Sequence, residues 1–97
     1  MTLEEAVRQL RKVWTPEHVA EQCLYRSGKI TLDARQVERG VIPCPHCGQR
    51  MGMGMLTLQH ADGRAVRFRP GLFHYVEAGH PIEGVDVDAL IAIMADA

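Results

Sequence analysis

Cys44-Pro45-His46-Cys47 is the group of residues in this sequence best placed to do chemistry together. Two thiols at this spacing can bend both sulfurs onto one metal ion, or can cycle between dithiol and disulfide. The chain holds three cysteines, and an odd number does not close a disulfide framework of the secreted kind. The third, Cys23, sits at an apolar position beside Leu24 and reads as a buried free thiol. Five histidines are the other source of donors: His18, His46, His60, His74 and His80. His74 and His80 stand apart because they bracket Tyr75-Val76-Glu77-Ala78-Gly79. A six-residue step turns about 240° around a helix and so leaves the shared face. A break at Gly79 would return His80 to the end of the same segment.

The run Cys44-Pro45-His46-Cys47-Gly48 resembles the zinc knuckle of zinc-ribbon and treble-clef proteins. The resemblance covers five residues and implies half of a metal site, with glycine after the second cysteine permitting the tight turn. A structural zinc takes four ligands, so two must come from elsewhere. Knuckle, hairpin, then two ligands on or near a helix is the order of a treble-clef site. The 26 residues between Cys47 and His74 leave room for a full hairpin. The expected ligands of a Zn2+ ion are therefore Cys44, Cys47, His74 and His80. His18 is the reserve ligand, His46 should point outward from the knuckle, and His60 should be exposed at a hairpin end.

Cys-Pro-His-Cys also resembles the active site of strongly oxidising thioredoxin-fold oxidoreductases. That family stabilises its first thiolate at a helix N-terminus directly after a strand. Here Gly48, Gly52 and Gly54 follow the pair within seven residues, and each costs a helix about 1 kcal/mol relative to alanine. Thiol redox chemistry stays an alternative. Met51, Met53 and Met55 offer thioethers that suit soft Cu(I), but alternating with glycines they read more simply as one buried strand face. Glu77 stands where a general base would be needed if zinc kept an open position. No H-E-x-x-H, nucleophile elbow or phosphate-binding glycine loop accompanies it, and two cysteines favour a structural ion. A metalloenzyme is thus the second alternative to an interaction module.

These residues must be carried by ordered elements. Thr2 and Glu5 fit a capping box ahead of Leu3, Val7, Leu10 and Trp14, which recur at helical spacing over residues 3–14. Thr15-Pro16 reads as the start of a second helix that stops at Gly28, giving an N-terminal helical pair. Ile30-Thr31-Leu32 suits a short strand, and Asp33 suits the cap of a helical turn through Ala34–Arg39 ended by Gly40. Residues 55–60 and 64–69 alternate around Ala61-Asp62-Gly63, a strong hairpin signal. Leu72–Ala78 suits a short helix ended by Gly79, or a strand, and Asp86 should cap a last helix through Ala95. The expected fold class is α+β: an N-terminal helical pair, a zinc knuckle with a β-hairpin, and C-terminal helices.

Length and charge set the outer bounds. Ninety-seven residues favour one domain over 1–97 with a thin core, which a metal or a partner would complete. No apolar stretch approaches the ~18–20 residues of a membrane span, and the acidic start lacks a signal pattern, so the expectation is a cytoplasmic protein that avoids membranes. The net charge of −1 hides a segregation. Residues 26–69 carry eight basic against three acidic groups, and residues 70–97 carry five acidic groups with no lysine or arginine. Arg64, Arg67 and Arg69 gather on the hairpin as candidate contacts for a partner. Aromatic residues are too few for base stacking, so a protein partner or self-association is favoured over nucleic acid.

Overall fold

A computed structural model describes residues 1–14 and 24–97. Helix α1 (Leu3–Val13) begins as its sequence directs. The Glu5 amide donates to the Thr2 hydroxyl at 3.2 Å, and the Thr2 amide donates back to the Glu5 carboxylate at 3.4 Å. Each side chain thereby satisfies a backbone donor that the first turn would otherwise leave unpaired. Ala6, Val7 and Leu10 form its buried stripe, and Trp14 carries that stripe past the helix end.

The expected second helix meets a correction. Its first part, with His18 and Cys23, lies outside the described residues, but Leu24–Ser27 is strand β1. Gly28, at φ +59°, does not end a helix; with Lys29 it forms a two-residue turn into strand β2 (Ile30–Asp33). Glycine in the first central position is what a II′ hairpin requires.

Strands β5 (Leu56–His60) and β6 (Ala65–Phe68) pair around the Asp62-Gly63 turn and complete an antiparallel sheet in the order β1-β2-β5-β6. Side chains alternate across it. Ile30, Leu32, Leu56, Leu58, Val66 and Phe68 are buried, while Gln59 and Arg67 face out. The buried face joins α1, α2 (Gly71–Ala78) and α3 (Val87–Ala95) in one apolar cluster, where Trp14 meets Phe73 at 5.4 Å between ring centroids. Helix α3 starts as expected, with the Ala89 amide donating to Asp86 at 3.0 Å.

Between β2 and β5 the chain makes an excursion. Strands β3 (Val37–Pro43) and β4 (Arg50–Gly54) form a separate two-stranded ribbon. The helical turn expected over Ala34–Arg39 is absent. Asp33 does accept a backbone hydrogen bond, from the Arg35 amide at 3.0 Å, but this closes an Asx turn from which the chain leaves extended. Gly40, at φ +118°, sits in a register shift between Glu38 and Val41, so it builds a bulge where a helix stop was expected. The architecture is α+β, with three helices and six strands in two sheets among the described residues. No helix among those residues is long and apolar enough to cross a membrane.

Candidate metal centre

The cysteine pair occupies the tip of the ribbon. Pro43 ends β3 directly opposite Arg50 of β4, so residues 44–49 are the connecting turn. The Cys44 amide donates to the Gln49 carbonyl at 2.7 Å, and the Gly48 amide donates to the Cys44 carbonyl at 2.8 Å. Gly48 adopts φ +76°, a conformation that side-chain-bearing residues avoid. Within this loop the His46 amide points at the Cys44 sulfur, 3.4 Å away. Burial of the Cys44 thiol works to raise its pKa, but hydrogen bonds from the His46 and Cys47 backbone and from the Cys47 side chain draw it down, and the net shift is downward. Thiolate is the form that binds a metal.

Helix α2 supplies the facing donors. Met51 of β4 packs so closely on Gly71 at its start that an added Cβ would stand 3.0 Å from the Met51 sulfur. That contact sets the helix against the ribbon tip, and His74 Nε2 comes within 3.2 Å of Cys47 Sγ. Gly79 then takes the left-handed conformation, φ +72°, with its amide bonded to the Tyr75 carbonyl. The His80 amide reaches the same carbonyl at 2.9 Å, which folds His80 back under the helix end. The ring centroids of His74 and His80 are 5.2 Å apart.

One donor atom from each of Cys44, Cys47, His74 and His80 lies within 4.8 Å of the others, and the cluster could bind a metal ion. Ligands held tetrahedrally at zinc distances stand about 3.3–3.8 Å from one another. A contraction of about an ångström would complete such a site. Burial, then the neighbouring charges of His46 and His74, lowers the pKa of His80, a shift that favours the neutral, ligating imidazole. Its Nε2 is buried and lacks a hydrogen-bond partner among the described residues.

The other candidates fall elsewhere. His46 is exposed and stacks near His80, with ring centroids 4.9 Å apart, outside the four-donor cluster. His60 corrects the expectation of exposure: its side chain is 7% exposed. Its Nε2 lies 2.9 Å from the Asp96 carbonyl, and its Nδ1 accepts from the Asp62 amide at 3.1 Å. Arg64 is held by Asp62 and Asp96 at 2.7 and 2.8 Å, whereas Arg67 and Arg69 are exposed. Glu77 pairs with Arg11 of α1. Two positions escaped the sequence analysis: Tyr75, whose ring neighbours His46, His74 and His80, and Gly71, whose missing side chain lets Met51 approach. Tyr75 could have been found by its place next to His74; nothing local marks Gly71. Met51 is buried and Met53 half-buried at alternate positions of β4, whereas Met55 is half-buried just past the strand, so the buried strand face expected of the three methionines holds for Met51 alone.

Comparison with protein families, with curated proteins and with solved structures finds no match.

Proposed function

We propose that this chain is a small cytoplasmic zinc-binding domain that serves as an interaction module. Cys44, Cys47, His74 and His80 would hold one structural Zn2+, and the ion would fix the ribbon tip to α2. The observation that carries this reading is the convergence of two sulfur and two imidazole donors within 4.8 Å, one imidazole with an orphaned buried nitrogen. Nitrogen and sulfur donors in this number are what a closed zinc site uses. Both alternatives have weaker support. An open catalytic zinc would want Glu77 free as a base, but Glu77 is engaged by Arg11. The oxidoreductase reading wants Cys44 at a helix N-terminus, but Cys44 lies in a hairpin turn.

A protein partner is favoured. Nucleic acid is the second reading, and its support is the exposure of Arg67 and Arg69 near one end of β6. Binding through phosphates would weaken steeply with salt and with Arg67→Ala or Arg69→Ala. The deciding experiment is metal analysis of the purified protein together with Cys44→Ser and His74→Ala. One zinc per chain, lost in both variants, is the expected result. A well-folded protein that binds no metal would overturn the reading and return the thiols to redox chemistry.

A further inference from the structure

The ribbon does not close completely onto the rest of the molecule. A cleft of about 400 Å3 separates it from the start of α2 and the turn at residues 81–85, and a depression of about 340 Å3 continues along β4. The two share Ile42, Gly52, Met55 and Arg69 as walls. Met51, Leu72 and Val85 make the first apolar, and Met53 lines the second. Gly52 and Gly54 leave the strand backbone bare, which allows another chain to approach closely. Thioether side chains repack around differently shaped apolar groups, a property of surfaces that bind peptides.

Arg69 lies where the two hollows meet. Its guanidinium has no acidic partner among the described residues, whereas Arg11, Arg35 and Arg64 each hold a carboxylate. A guanidinium of this kind pairs best with a carboxylate, through two parallel hydrogen bonds. Glu83 lines only the first hollow and would repel an acid seated there, so a negative charge has one favoured position. A small carboxylate would fill one hollow and leave the other empty. We infer that this groove docks an extended segment of a partner protein, with an acidic residue on Arg69 and apolar side chains in the hollows on either side. The inference rests on the interaction-module reading and names the chemistry of its partner. Pro45 and His46 of the ribbon tip also line the first hollow, so a metal that orders the tip would shape one end of the groove.

The test uses the full chain, expressed with zinc in the medium, with isotope-labelled methionine methyl groups. The probes are three libraries of five-residue peptides with Leu or Phe at both ends and Glu, Gln or Lys fixed at the centre, together with decanoate as a small carboxylate. The Glu library should bind at least tenfold more tightly than the Lys library and shift the methyl signals of Met51, Met53 and Met55. Arg69→Glu should reverse the preference, and Met53→Lys should weaken binding with the fold unchanged. Equal affinity for the Glu and Lys libraries would overturn the inference. So would indifference to Arg69→Glu, or methyl shifts with decanoate alone. Zinc content measured on the same samples separates the two ideas. Zinc without a Glu preference removes the groove and keeps the metal site; a Glu preference without zinc does the reverse.

Discussion

The four-stranded sheet and the ribbon solve the problem of stability differently. The sheet buries most of one face in an apolar cluster with three helices, and Leu32, Leu56, Leu58 and Phe68 are fully enclosed. The ribbon has two strands, and its tip carries the buried Cys44 followed by six exposed positions, 45 to 50. A two-stranded hairpin is marginal in water without something packed against it. Met51 on Gly71 is one attachment, and a metal at the tip would be the second. One region is held by buried area; the other has a single close packing contact, to which a metal would add directed bonds.

Metal removal should separate the two regions most sharply. With a chelator, or in Cys44→Ser, amides of the ribbon such as Val41 and Gly52 should lose protection from hydrogen exchange, because metal binding and local folding share one free energy. Amides of β2 and β5 should keep theirs. Equal loss in both regions would show that the ribbon and the sheet fold as one unit. The reverse experiment is Leu58→Ala, which empties a fully buried position and should cost about 2–5 kcal/mol in denaturant unfolding. Zinc stoichiometry of the folded fraction should not change.

Gly79→Ala acts on the joint between the regions. The left-handed backbone there should cost about 1–2 kcal/mol with a side chain, and zinc affinity should fall with it because His80 follows directly. Thr2→Ala touches only the sheet side: loss of the capping box should cost about 1 kcal/mol and leave zinc affinity unchanged.

The smallest effect concerns the β5–β6 turn. Arg64, through its side chain and then its backbone amide, draws the Asp62 carboxyl down to about 2. A depressed carboxyl pKa contributes stability above its unfolded value of 3.8 and loses it as pH falls towards about 2. The melting difference between the wild type and Asp62→Asn should therefore be present near neutral pH and vanish through that acid window.

What the sequence made legible follows the same division. The capping box at Thr2, the Asp62-Gly63 turn, the cap at Asp86 and the stop at Gly79 are local devices, and each works within a few residues. The convergence of Cys44, Cys47, His74 and His80 was legible for a related reason, since both halves are short motifs: a tight cysteine loop and a helix end reversed at Gly79. The misreadings have a common physical cause. Asp33 and Gly40 carry the same residue types that start and stop a helix, yet the first closes an Asx turn and the second seats a bulge. Gly28 likewise serves a hairpin as readily as a helix end. Pairing with a distant strand decides between such uses. β2 finds β5 across the entire ribbon, with Asp33 opposite Thr57. His60 was misjudged because the Asp96 carbonyl, 36 positions away in sequence, covers it.

That same excursion between β2 and β5 has a bearing on speed. Bringing Asp33 to Thr57 requires closure of the intervening loop before any contact of the main sheet rewards it. A ribbon that has already zipped from its own tip holds Val37 opposite Gly54, so the ends of the loop arrive close together. The wait for the long-range encounter then shrinks to the formation of a local hairpin. Zinc captured early by Cys44 and Cys47 would hasten that step, and refolding followed by stopped flow should be faster with the ion present from the start than with the ion added after mixing.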